Sequence, residues 1–248
     1  MEITVTCNTD DDVLFTNVEQ NSKLPIRWVK NEQEHDGHAV ICGGGPSLVD
    51  TLDTIRWRKS IGQKVFALNG AAKLLHENGI EVDYSIILDA REFNKRFLGY
   101  SKEYLISSQC HPSMFEGLEN VTLWHPVVDF IEEHIPDHDD DYALIGGGTT
   151  VGLSAMALCY TLGYRKLHLF GYDSSHRENS HAYAQPENEY EPKCKVTVFG
   201  KEFKTSWTMA KQAELFPRLC DDLIDLGCVI TVDGDGLIPH VVRSIRGC

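Results

Sequence analysis

A chain of 248 residues with 42% hydrophobic and 24% charged side chains has the composition of an ordinary globular protein, long enough for one large domain. Its formal net charge of −14 argues against general binding to a nucleic-acid backbone, which needs an excess of Lys and Arg, although Arg91, Lys95 and Arg96 lie close enough along the chain to form a local basic cleft. No apolar run approaches a membrane span, no signal peptide is recognisable and the eight cysteines form no C-x-x-C pair, so a reducing, cytoplasmic setting without membrane contact is expected.

Residues 1–38 are polar, with Asp10, Asp11 and Asp12 reading as a solvated turn and Trp28 as an anchor, so they are expected to form an N-terminal extension packed on a core of residues 39–248. From Ala39 onward strands and helices alternate. Strands are expected at Ala39–Cys42, Val65–Leu68, Tyr84–Leu88, Tyr104–Ser107, Val121–Trp124, Lys166–Phe170 and Cys228–Val232. Helices are expected over Ser47–Lys59, Ala71–Glu77 and Met209–Leu226, from Phe93, after Thr150 as far as Leu162, and at the C-terminus. A hairpin is placed around Gly200-Lys201, and His134–Asp141 reads as a solvated acidic loop rather than a metal site. The pattern predicts a single α/β domain with a Rossmann-like, mostly parallel sheet covered by helices on both faces. Ligands of such sheets bind beyond the carboxyl ends of the strands.

The residues at those ends are small or polar. Ala39-Val-Ile-Cys-Gly-Gly-Gly-Pro-Ser-Leu48 runs from a strand through three glycines to a proline that can open a helix. Glycine allows close backbone approach, and a helix start favours phosphate, so Gly43, Gly44, Gly45 and Ser47 read as a phosphate cradle. It is neither a G-x-x-x-x-G-K-[ST] loop nor a strict G-x-G-x-x-G, because Leu48 stands at the last glycine. Asn69, 24 residues beyond Gly45, could bond a ribose hydroxyl or a base edge, or be a turn asparagine. Asp89 could hold Mg²⁺, meet a substrate hydroxyl or cap a helix. A second glycine turn, Gly146-Gly147-Gly148-Thr149-Thr150, offers more N–H groups and two hydroxyls. The polar loop from Asp173 to Tyr183 carries His176 and His181, which titrate near neutrality and suit a general base.

Gly43-Gly-Gly-Pro-Ser-Leu48 resembles the G-x-G-P-S-L turn of bacterial sialyltransferases that use CMP-activated sugars. It is still more similar to the DUF115 domain shared by motility-associated glycosyltransferases and archaeal 6-hydroxymethylpterin diphosphokinase (MptE)-like proteins. Thr149 to Asp173 resembles their helix, Leu-Gly-Tyr, strand and G-x-D segment, while His181-Ala-Tyr-Ala-Gln185 and Gly234-Asp-Gly-Leu-Ile238 are similar to motifs of uncharacterised, often phage-encoded members. The resemblance covers roughly Ala39 to Ile238. It implies nucleotide binding by Gly43, Gly44, Gly45, Ser47 and Asn69. The sialyltransferases carry a catalytic histidine just before the last long helix; Lys201–Met209 has none, so the expected base here is His181 or Asp173, with His176 nearby.

The expected activity is therefore a nucleotide-dependent transferase, favouring transfer of a sugar from a CMP- or UDP-type nucleotide-sugar donor to a hydroxyl. The acceptor stays open among a glycan, a small metabolite and a modified nucleobase, and a homo-oligomer is allowed. The alternatives are a diphosphokinase with Asp89 and Asp173 holding Mg²⁺ on ATP, and a non-catalytic nucleotide-sensing module. Gly147, Gly148, Thr149 and Thr150 complete the expected nucleotide site.

Overall fold

The computed structural model describes residues 9–136, 141–148, 150–178, 181–186 and 192–246. Nine strands form one parallel sheet: β1 (Arg27–Trp28), β2 (His35–Cys42), β3 (Lys64–Leu68), β4 (Val82–Ile87), β5 (Ser101–Ser107), β6 (Val121–Pro126), β7 (Leu144–Ile145), β8 (Tyr164–Phe170) and β11 (Val229–Val232). Their order is β1-β6-β5-β4-β3-β2-β8-β11, with β7 pairing with His125 and Pro126 at the end of β6. The chain builds outward from β2 to β6 and then returns to the other side of β2 as β8. That reversal leaves a crevice between the carboxyl ends of β2 and β8, the usual ligand position in such sheets.

Alternation along the strands divides the core. Ala39, Ile41, Phe66, Leu68, Leu167 and Leu169 face α4 (Val151–Thr161), α5 (Trp207–Asp225) and α6 (Leu237–Arg246). Val40, Cys42, Val65 and Ala67 face α2 (Leu52–Ser60) and α3 (Ala71–Glu77). Helix α4 is apolar nearly all round because it lies between the sheet and α5. Among the described residues no helix is long and apolar enough to cross a membrane.

Several local expectations need correction. Asp11 and Asp12 do not form a turn; they open α1 (Asp11–Asn21), where negative charge suits the helix start. Residues 46–51 form a 3₁₀ segment before α2, and Glu92–Phe97 is a 3₁₀ turn that does not continue into an α-helix. The hairpin of β9 (Lys193–Val198) and β10 (Lys201–Ser206) turns at Phe199-Gly200, one residue earlier than expected. Both turn residues have positive φ, 46° and 80°, as a two-residue turn matching strand twist requires. Helix α5 begins at Trp207, where the Ser206 hydroxyl accepts the Met209 N–H. Part of the expected acidic loop, residues 137–140, lies outside the described residues; its His134 bonds Glu19 and stacks on Phe15.

One polar chain crosses the α2 face of the sheet. His38 Nδ1 lies 2.9 Å from His168 Nε2, and His168 Nδ1 lies 2.8 Å from Thr231 Oγ1. Burial, with the nearby Arg58 charge, brings the His168 pKa down to about 4, and burial lowers that of His38. A histidine whose folded pKa is depressed contributes stability that is present above its unfolded value and lost as pH falls through the folded one. Stability is therefore expected to drop between about pH 6.5 and 4, and His168→Phe should flatten that drop when melting temperature is followed against pH. An unchanged slope in the variant would assign the acid sensitivity elsewhere.

Candidate functional site

The crevice is closed from below by backbone. Gly43 N–H donates to the Phe170 carbonyl at 2.8 Å, and Gly45 N–H to the Gly171 carbonyl at 2.9 Å. The turns after β2 and β8 thus lie against each other. A Cβ on Gly43 would sit 2.7 Å from the Gly171 oxygen, and one on Gly45 would meet that oxygen at 2.6 Å and the Asp173 carboxylate closer still. Only glycine fits at these two positions, for reasons of approach and not of φ.

Above this floor is a cleft of about 160 Å³. Its walls include Gly43, Gly44, Gly45 and Asn69 on one side and Thr150, Val151 and Gly152, the start of α4, on the other. Tyr172, Ser174 and Ser175 line it from the turn after β8, Met209 and Gln212 from α5, and His181, Tyr183 and Gln185 from the loop above. Among the described residues of the lining there is no Asp, Glu, Lys or Arg. A ligand there meets backbone dipoles, hydroxyls and amides.

The expected site residues separate into three groups. Gly43, Gly44, Gly45, Asn69, Thr150 and His181 come together in the cleft. Ser47, Asp173 and His176 sit behind or beside it. Asp173 is 1% exposed, and its Oδ2 accepts the Ser47 N–H at 2.7 Å. Burial raises its pKa, opposed by that bond and by the adjacent Ser47 hydroxyl. Its Oδ1 and the Ser47 Oγ both lack a well-formed hydrogen bond among the described residues. Asp173 also holds the last segment, since its carbonyl accepts the Ile238 N–H at 3.2 Å and its side chain fills the space left by Gly45, Gly234 and Gly236. Asp173 thus ties three turns together. The His176 ring packs edge-on against His181, with centroids 4.9 Å apart.

Asp89, Gly147 and Gly148 form the third group and do not line the cleft. Arg91 Nε donates to both Asp89 carboxylate oxygens, at 3.0 and 3.1 Å, while the Arg91 N–H also bonds Oδ1. Gly147 (φ 115°) and Gly148 (φ 85°) shape the approach to α4; a Cβ on Gly147 would strike the Leu153 and Ser154 backbone at 2.6 Å. Thr150 caps α4 by accepting the Leu153 N–H. Thr149 lies outside the described residues.

Asn69 adopts the turn that one of its two expected readings gave it. Its φ of 47° is the left-handed turn conformation, and its buried Oδ1 has no hydrogen-bond partner among the described residues. An orphaned buried acceptor costs about 1–3 kcal/mol, which a ligand donor would recover. Asn69→Gly keeps the turn and removes the amide. It is expected to leave stability equal or higher and to weaken nucleotide binding about tenfold, as read by calorimetric titration. Equal affinity would make Asn69 a turn residue only.

Sequence reasoning missed Met209, Gln212, Ser174 and Gly152. Met209 and Gln212 read as part of an amphipathic packing helix, yet they form a wall of the cleft. Met209 ends the stretch in which the sialyltransferase resemblance calls for a histidine. A Cβ on Gly152 would lie 2.6 Å from Gln212 Nε2, so α4 and α5 meet at the mouth.

A model of the 6-hydroxymethylpterin diphosphokinase MptE-like family matches residues 13–179, about two thirds of the chain. The structure of the MAf glycosyltransferase from Magnetospirillum magneticum AMB-1 superposes with a TM-score of 0.68 at 17% identity, over 93% of this chain and 38% of that one. The chain thus spans well under half of that protein, and the likeness shows a shared fold. No curated protein matches the chain.

Proposed function

The chain belongs to the MptE-like family, and from that premise we propose that it is a nucleotide-dependent transferase, moving a sugar from a nucleotide-sugar to a hydroxyl acceptor. One observation carries the reading. The Gly43–Gly45 turn and the start of α4 converge on one cleft at the reversal of strand order, and its described lining offers backbone dipoles, hydroxyls and amides but no ionised carboxylate. Such dipoles stabilise a phosphate leaving group without reorganising. The fold it shares with a glycosyltransferase agrees with this.

In the proposed step the acceptor O–H bond breaks and its proton passes to a ring nitrogen of His181. The acceptor oxygen bonds the anomeric carbon as the bond from that carbon to the phosphate oxygen breaks. The electron pair leaves on the phosphate, whose charge falls between the Gly43–Gly45 turn and the start of α4. A cleft of about 160 Å³ is smaller than the ~300–1,000 Å³ of typical ligand sites, so Tyr183 and Gln185 give way as the donor enters.

The family description keeps diphosphate transfer as a second reading. The carboxylates expected to hold its Mg²⁺ fit poorly, since Asp89 is engaged by Arg91 and Asp173 is buried on Ser47. The two readings separate on product. Release of CMP or UDP from sugar donors in EDTA supports sugar transfer. Magnesium-dependent conversion of ATP to AMP supports diphosphate transfer and would overturn the first reading.

A further inference from the structure

His181 lines two cavities. One is the cleft; the other is an open groove of about 540 Å³ on the far side of the same loop, lined by Pro46, Val49, Arg177, Glu178, His181 and Ala182. Between them runs a wall one segment thick, fixed by the Ala182 N–H donating to the Gly44 carbonyl at 3.1 Å. The base proposed for the transfer therefore stands where donor cleft and groove meet. We infer that this groove is the acceptor site and that it takes an uncharged polyhydroxylated acceptor, of the class of a simple glycoside, and discriminates against phosphorylated or carboxylated ones. The inference rests on the neighbouring cleft being the donor site.

The chemistry of the groove selects the class. Its floor is aliphatic: Ala182 and Val49, the latter 44% exposed, offer a surface for the apolar face of a sugar ring over the buried Pro46. Its rim is acidic. Arg177 pairs with Asp50 and, at 2.7 Å, with Asp235, and Glu178 stands beside it. Two carboxylates thus engage one guanidinium, holding the Arg177 pKa above its usual value, and a third carboxylate, Glu178, lines the same groove. An ionised carboxylate keeps several acceptor sites after accepting one guanidinium N–H, so the rim can take hydroxyl donors. An anionic acceptor would meet like charge instead.

Ligand-observed saturation-transfer NMR on the whole chain tests this, with methyl glycosides of glucose, galactose, mannose and N-acetylglucosamine as probes and glucose 6-phosphate as the anionic counterpart. At least one glycoside should give a signal that Val49→Trp removes, by covering the floor. Glucose 6-phosphate should bind at least tenfold more weakly than that glycoside. If Val49→Trp does not fold, Glu178→Lys replaces it and should strengthen glucose 6-phosphate binding several-fold. No signal from any glycoside, a signal indifferent to Val49→Trp, or equal binding of the phosphate would overturn the assignment. If glycosides bind as expected while no nucleotide binds the wild type, the donor reading fails and the groove remains a sugar site.

Discussion

Replacing His181 with alanine is expected to lower turnover by about 10²–10⁴-fold, the usual contribution of a positioned general base, while stability falls by only about 0.5–1.5 kcal/mol through loss of the edge-on contact with His176. The reason lies in its placement. His181 is half-buried, borders both cavities and packs edge-on against His176. Removing the ring takes the proton acceptor away from the junction but leaves intact the backbone bond from Ala182 to Gly44 that holds the loop. Nucleotide affinity should therefore survive, and millimolar imidazole should restore part of the lost rate. Turnover within a few-fold of wild type would remove His181 from the chemistry.

Asp173→Ala is expected to act in the opposite way, through the fold. The Ser47 N–H loses a 2.7 Å bond to a carboxylate in a fully buried place, and the space between Gly45, Gly234 and Gly236 is emptied. Leaving a buried donor unpaired and removing a charged acceptor costs roughly 3 kcal/mol, or about 6–12 °C in Tm for a chain of this size. Asp173→Asn keeps an acceptor toward Ser47 and should recover most of that loss. The pH dependence follows from the direction of the shift. The folded pKa lies above the unfolded value, so the ionised carboxyl costs stability at neutral pH, and that cost fades as pH falls from the folded pKa toward 3.8. The Asn variant lacks this relief, so its stability should gain on wild type at neutral pH relative to acid. A stable but inactive Asp173→Ala would instead return Asp173 to the chemistry.

That Asp173 is buried while His181 lines the cleft was not legible in the sequence, where both belong to one polar loop. The difference is made by Gly45, Gly234 and Gly236, which come from two distant turns and close over the carboxylate. The strands were legible because 39–42 and 65–68 are apolar runs and 166–170 sets Leu167, Leu169 and Phe170 among Lys166 and His168, each stretch ended by glycine or asparagine. Helix α1 was not, because it docks by amides as much as by an apolar stripe. Asn21 Nδ2 donates to the Ser108 and Cys110 carbonyls at 2.8 and 2.7 Å, and Asn17 Nδ2 to the Gln109 carbonyl at 3.0 Å. Hydrophobic periodicity carries no trace of such contacts. The glycine turn after β2 could be recognised as a close approach, but its partner, the Gly171 turn after β8, appears only once strand order is known.

In the proposed function the Gly43–Gly45 turn receives the phosphate of a nucleotide. Thermal denaturation with CMP, UDP, ADP and ATP, each in EDTA and in Mg²⁺, tests it most directly on the wild type and on Gly44→Val. Ligand at about 100 times its Kd stabilises by about 2.7 kcal/mol, enough to move Tm by several degrees. A pyrimidine nucleotide should raise Tm in EDTA, and valine at Gly44, projecting toward Tyr183 and Gln185, should abolish the shift without unfolding the chain. Wild-type protein that responds to no nucleotide, or a shift that persists undiminished in Gly44→Val, would contradict the account.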